Sequence, residues 1–334
     1  MTRQQTNPPQ SNGLANGLAN GLAIGLVADI GGTNARFAAI DQVTGELVSQ
    51  VRLDTQACDD GTQLVSAAVS ALGCSPRACV LALAGPVTGP QAALTNADLT
   101  FDQADLEKRL DCRVVLVNDF VAMSRAVPAI QPVNQAETSV VMGPGTGLGV
   151  GFLVPSVTGL QVCPSEAGNA GFAPSDELEQ ELLAVLRPTF PVLVWESFLS
   201  GPGLLTLYTG MCELWGVTPI LERPEEVSAR GLDLSDPLCH KCLDVFFAML
   251  GSAAGSLALT LAARGGVFLV GDLLVGMADF FHASQFRTRF EAQGIADKPA
   301  AAMLKRIPTE LVMETDLGLT GVIHYARDRW RDTR

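Results

Sequence analysis

The 334-residue chain is short of positive charge: 22 Lys and Arg stand against 35 Asp and Glu, a formal net charge of −13. It has no basic stripe to neutralise a nucleic-acid backbone or an anionic bilayer, which excludes nucleic acid and membrane surfaces as partners. Any phosphate bound here has to be held by backbone N–H groups or by a metal ion. Histidine is scarce as well, at positions 240, 282 and 324 only, far apart in sequence. The 8 cysteines are scattered, so a disulfide scaffold is excluded and most are expected to be reduced and partly buried. Cys239-His-Lys-Cys242 has the C-x-x-C spacing but no second ligand pair nearby, and zinc is the weaker reading of it. Apolar runs are short, and no cationic segment leads into an apolar core and cleavage site. The expectation is a cytoplasmic protein without a spanning helix or signal peptide.

With 48% hydrophobic and 17% charged residues the chain has material for two packed cores, since one domain takes about 150 residues. Residues 12–23 repeat Asn-Gly-Leu-Ala after a Pro/Gln/Ser-rich start, so 1–22 reads as a disordered tail. From Leu22 to Ile30 the chain is apolar and strand-like; Gly31-Gly32-Thr33-Asn34 turns it, and it returns as a second strand towards a turn at Thr44-Gly45. The device recurs over 139–154, where an apolar strand meets Gly145-Thr146-Gly147 and returns. A strand that returns, instead of feeding a helix, excludes the dinucleotide and Walker phosphate loops, whose glycines open a helix. Segments 78–85, 112–119 and 266–272 read as buried strands, and 101–110, 176–186, 242–263 and 276–293 as helices. Two similarly begun halves of alternating strands and helices predict a duplicated α/β architecture with a cleft between the halves.

Glycine turns of this kind let an anion approach the main chain, and two of them would grip a nucleotide's phosphates. A single such turn would be read as a plain hairpin; the repetition favours phosphate. Asp29, ending the first strand, suits Mg²⁺ held through water, with a turn cap as the alternative. Asn118 and Asp119 end the apolar run Val114–Val117, where an aspartate can take the proton of an attacking sugar hydroxyl. The alternative for this pair is a helix cap.

Together, DIGGTNAR (29–36), LTNADL (94–99), VNDFVAMSRAVP (117–128), GPGTGLGVG (143–151), PSEAGNAGFAP (164–174), ESFLSGPGLLTLY (196–208) and GGVFLVGD (265–272) resemble the bacterial glucokinase family, in order, over nearly the whole chain. The resemblance implies the actin-like ATPase (ribonuclease H-like) fold in two domains, a smaller one of 23–129 plus 314–334 and a larger one of 130–313. It implies phosphorylation of glucose at its 6-hydroxyl, with ATP and Mg²⁺. By motif, Asp119 matches the catalytic base, and Asn96, Asn118, Glu166, Asn169 and Glu196 match the sugar side. Asp29, Gly31, Gly32, Thr33, Asn34, Gly145, Thr146, Gly147 and Gly271 match the ATP side.

Two positions depart from the family pattern. Its Glu-Gly-Gly-His reads Glu166-Ala167-Gly168-Asn169, and its adenosine-side Gly-Gly reads Gly271-Asp272. Asp272 is expected to N-cap the following helix. These departures keep two other functions open: a kinase for another hexose, and a non-catalytic sugar sensor. A homodimer stays open too.

Overall fold

Ile24–Ile30 (β1) is buried at every position but Asp29, the pattern of a strand covered on both faces. The computed structural model describes residues 23–157 and 159–331; the tail expected over 1–22 lies outside the described residues. β1 pairs antiparallel with Asn34–Asp41 (β2), which pairs with Leu47–Asp54 (β3). Both Gly-rich segments therefore turn one strand back on another, as the sequence predicts. The helix Gly61–Leu72 (α1) follows, then Ala78–Leu83 (β4), a small hairpin of Gln91–Ala93 (β5) and Thr100–Asp102 (β6), and Gln103–Leu110 (α2). Arg113–Asn118 (β7) then runs into Asp119–Ile130 (α3).

The first sheet has the order β3-β2-β1-β4-β7. Alternation along β1 divides its side chains between two cores. Leu26, Ala28 and Ile30 join Leu64, Leu81 and Phe101 on one face. Val27 joins Val80, Val117, Leu319, Val322 and Trp330 on the other.

The device repeats with Ser139–Pro144 (β8), Leu148–Ser156 (β9) and Gly159–Ser165 (β10). Then come the helices Glu177–Leu186 (α4), Gly201–Leu214 (α5), Pro224–Leu232 (α6) and Pro237–Thr260 (α7), and the strand Gly266–Leu269 (β11). Asp272–Val275 (α8), Ala278–Ala283 (α9), Phe286–Glu291 (α10) and Pro299–Leu304 (α11) lead to Thr309–Leu311 (β12) and the last helix, Leu317–Arg331 (α12). The second sheet has the order β10-β9-β8-β11-β12, position for position the topology of the first. The expected duplication is present.

The chain divides into two compact units, one of the described residues up to Ile130 together with those from Asp316 onward, the other Gln131–Thr315. In the second unit α7 is long and apolar enough to cross a membrane by length and composition, but 78% of its most apolar window is buried inside the protein, as in a core helix. The single helix expected over 276–293 is instead two. Ser284 takes an extended conformation, and its hydroxyl accepts from the N–H of Phe286 at 3.2 Å, ending α9 and starting α10. A side chain that caps competes with the helix that periodicity alone would continue.

Candidate active site

In the first unit β1, β4 and β7 run parallel, and their register sets Ile30 beside Leu83 and Leu83 beside Asn118. All three strands thus end level, and Asp29, Asn118 and Asp119 gather at one end of the sheet. Asn118 is clamped there: its amide donates to the Gly85 carbonyl and to Asp119 Oδ1, both at 3.1 Å. Its oxygen accepts from Phe120 N–H at 3.0 Å and Val121 N–H at 3.3 Å, capping α3. Asp119, the first residue of α3, accepts a further bond from Phe120 N–H on Oδ1 at 2.8 Å.

Burial, and next the charge of Asp29, push the Asp119 carboxyl up to about 6. Burial also raises Asp29, against the opposing pull of Arg36. Arg36 lies directly across the hairpin from Asp29 and donates to its Oδ2 at 2.8 Å. No motif in the sequence singles out Arg36, although a four-residue turn at 31–34, which pairs Ile30 with Ala35, places residue 36 opposite residue 29.

The first turn is closed by Gly31 N–H donating to Asn34 C=O at 3.0 Å. Thr55 braces it from behind, through its N–H to Thr33 C=O at 3.0 Å and its hydroxyl to Gly31 C=O at 2.9 Å. Asn34 accepts from Arg52 at 3.0 Å. Gly32 has Asn96 against it: a β-carbon there would lie 2.9 Å from the Asn96 carbonyl. The structure therefore packs the predicted sugar-side asparagine onto the predicted phosphate turn.

The second unit repeats the design. Gly145 N–H donates to Gly147 C=O at 2.7 Å, and Gly201 N–H, at the start of α5, donates to Gly145 C=O at 2.7 Å. Gly145 has open space where a side chain would be, and Gly145 and Thr146 are exposed. Gly147 does not: the Glu196 carboxylate occupies that direction. Glu196, on the short helical turn Trp195–Ser197, accepts from Leu148 N–H on Oε2 at 2.8 Å. Glu166 and Asn169 are exposed at the two ends of another short turn, joined by Asn169 N–H to Glu166 C=O at 2.9 Å.

That turn is fastened to the Glu196 segment. Trp195 N–H donates to Ala170 C=O at 3.1 Å, and Phe172 N–H to Leu193 C=O at 3.1 Å. The Phe172 ring packs 5.1 Å from Trp195 and 4.6 Å from Phe198. Glu166, Asn169 and Glu196 are thus brought onto one fastened pair of segments.

Gly271 follows β11, the parallel neighbour of β8, at φ 108 and ψ 149, a conformation that requires glycine. Its open side faces the Pro144 carbonyl at 3.5 Å, at the foot of the second turn. The expected N-cap role of Asp272 does not hold. Gly271 is the N-cap, without a side-chain bond, and Asp272 is the exposed first residue of α8. The N-cap position is the residue before the first helical one, and here it is a glycine with no side chain to accept a bond.

Among the described residues no cluster of three or more acidic, histidine or cysteine side chains is set up to hold a metal ion. Mg²⁺ does not require one: it is commonly bound by one or two carboxylates together with substrate phosphates and water. Asp29 fits that requirement, with Arg36 engaging one of its oxygens.

Known proteins resemble the chain over most of its length. A sequence model of the family described as Glucokinase matches residues 26–329. The chain is similar to the glucokinase of Aromatoleum aromaticum, 37% identical over 311 residues that cover 88% of this chain and 92% of that one. It is also similar to the crystal structure of a glucokinase from an Antarctic psychrotroph, with TM-score 0.80 and 29% identity over 92% of this chain and 99% of that one. A Balamuthia mandrillaris glucokinase solved in complex with glucose shares the fold, with TM-score 0.77 at 22% identity over 94% and 96% of the two chains.

Proposed function

This chain belongs to the glucokinase family, and we propose that Asp119 is the base in its reaction, the ATP-dependent phosphorylation of glucose. The duplicated α/β architecture is the actin-like ATPase fold. One observation carries the assignment of the base: a carboxyl held at the end of β7 with its pKa pushed up to about 6. Such a group is ionised at neutral pH and still basic enough to receive a proton.

Both bonds donated to Asp119 fall on Oδ1, so Oδ2 is assigned to the substrate. As the 6-hydroxyl oxygen bonds to the γ-phosphorus, its proton passes to Oδ2 and the bond from that phosphorus to ADP breaks. Asn118 holds the base in place. A sugar hydroxyl that also bonds Asn118 has to displace its 3.1 Å bond to Asp119.

Asn96, Glu166, Asn169 and Glu196 are assigned to the ring hydroxyls. Carboxylates and amides suit vicinal hydroxyls, and an analogue lacking one of them leaves a buried group unpaired. The backbones of Gly32, Thr33 and Asn34 and of Thr146 and Gly147 are assigned to the phosphates. Gly31 and Gly145 close the turns, and Gly271 serves the adenosine side. Mg²⁺ held by Asp29 through water would neutralise charge on the phosphates. The cytoplasm is the compartment we assign; it supplies ATP and keeps thiols reduced, and all eight cysteines are free.

The deciding assay is ADP release by the purified protein over a panel of hexoses, with and without Mg²⁺. Mg²⁺-dependent turnover that is fastest with glucose is expected. Glucose binding without turnover would overturn the reading.

A further inference from the structure

Arg36 does more than pair with Asp29. One arm of its guanidinium donates to Asp29 Oδ2 at 2.8 Å, and the other donates to Asp316 Oδ1. Asp316 is the residue at which the chain re-enters the first unit, directly before α12. Its own carbonyl accepts from Thr320 N–H at 3.1 Å, so it is built into the start of that helix. The Asp29 carboxylate meets the same helix a second time: Gly318, in its first turn, lies so close that a β-carbon there would collide with Oδ2.

Stability does not account for the bond to Asp316. Arg36 and Asp316 keep 41% and 50% of their side-chain surface exposed, and ion pairs that open to water are worth little. What a planar guanidinium spanning two carboxylates provides is geometry. A lysine, a point charge on a flexible stem, does not reproduce it. Asp29 itself is only 16% exposed and sits at the head of the first turn, so a small change in its direction is felt where the nucleotide is assigned.

We propose that Arg36 is a positioning residue that aims the Asp29 carboxylate by tying it to Asp316, so that affinity for Mg·ATP depends on an aspartate outside the nucleotide site. The inference rests on the assignment of Asp29 to the metal–nucleotide complex. It adds a remote residue, Asp316, to the determinants of that affinity.

The test is titration calorimetry on the full chain with ATP plus Mg²⁺, and separately with glucose, for Asp29→Asn, Arg36→Met, Arg36→Lys, Asp316→Ala and the double variant Arg36→Met/Asp316→Ala. Arg36→Met and Asp316→Ala are each expected to weaken Mg·ATP about five- to ten-fold. The double variant should lose no more than the worse single one, because both remove the same link. Arg36→Lys should fall between Arg36→Met and the wild type. Glucose affinity should stay within about two-fold throughout, which also shows that each variant is folded. Should Arg36→Met fail to fold, Asp316→Ala decides alone. Wild-type Mg·ATP affinity in Asp316→Ala, or losses that add in the double variant, would overturn the proposal while a weakened Asp29→Asn leaves the Asp29 assignment standing. Normal Mg·ATP binding by Asp29→Asn would overturn that assignment and this inference with it.

Discussion

The backbone N–H of Leu148 donates to Oε2 of Glu196 at 2.8 Å, so the residue that leaves the second glycine turn holds a carboxylate assigned to the sugar. Gly147, one position earlier, has that carboxylate where its side chain would be. One side of the turn is taken by Glu196, and the other, at Gly145, is open.

Two glycines of this turn should therefore respond differently to the same added methyl group. Gly147→Ala should displace Glu196 and raise KM for both glucose and ATP, by an amount in line with the roughly 1–3 kcal/mol cost of overpacking. Gly145→Ala meets open space and should raise KM for ATP alone. Steady-state kinetics with each substrate varied in turn checks the contrast; equal effects on both substrates in both variants would refute it.

Asp119→Asn keeps the oxygen that accepts from Phe120 N–H and removes the basic one. The expected outcome is a kcat lower by about 10² to 10⁴ with glucose affinity within a few-fold of wild type. Single-turnover kinetics beside calorimetric glucose binding measure the two separately. Near-normal turnover would remove Asp119 from the mechanism.

The pH dependence follows from the raised carboxyl. Asp119 has to be ionised to act, so kcat/KM should rise with pH through about 6 and level off above it. The stability effect has the opposite sense. The folded state binds the proton more tightly than the unfolded one, so this group lowers stability progressively as pH rises from about 4 to about 6, and the penalty is complete above that. At pH 7 Asp119→Asn should accordingly melt at a higher temperature than wild type, with a gain of order 1–3 kcal/mol that disappears below about pH 4. Thermal unfolding at the two pH values checks it.

Asn169 is exposed on a turn fastened independently of its side chain, through Ala170 and Phe172. Asn169→Ala should leave the fold intact, cost about 1–3 kcal/mol of sugar binding and hardly move ATP affinity. Asn169→His, which restores the family residue, should change the ranking of hexoses by kcat/KM. An unchanged ranking would place Asn169 away from the sugar.

The sequence announces the strands and turns because continuous apolar runs ended by glycine or by Asn-Asp have few other readings, and β1, β4, β7, β8 and β11 all appear where those runs lie. The helix break at Ser284 was hidden because a serine inside an apolar periodic stretch caps or continues a helix according to what its hydroxyl bonds. Asp272 misled for a related reason: the cap position went to Gly271, whose positive φ is a backbone fact with no local spelling. Least legible were the long-range ties. Leu148 and Glu196 are 48 residues apart, and Arg36 and Asp316 are 280 apart, separations at which no periodicity or spacing rule speaks.

The last helix also sets an order of assembly. α12 supplies Leu319, Val322, Ala326 and Trp330 to the face of the first sheet that carries Val27, Ile40 and Val80. During synthesis that face is made first and covered last, after the whole of Gln131–Thr315 has emerged. The middle of the chain can complete its own core while the beginning still waits, with buried-type valines and isoleucine in water. A chain released before residue 317 would have only α3 against that apolar face, leaving a ready surface for aggregation.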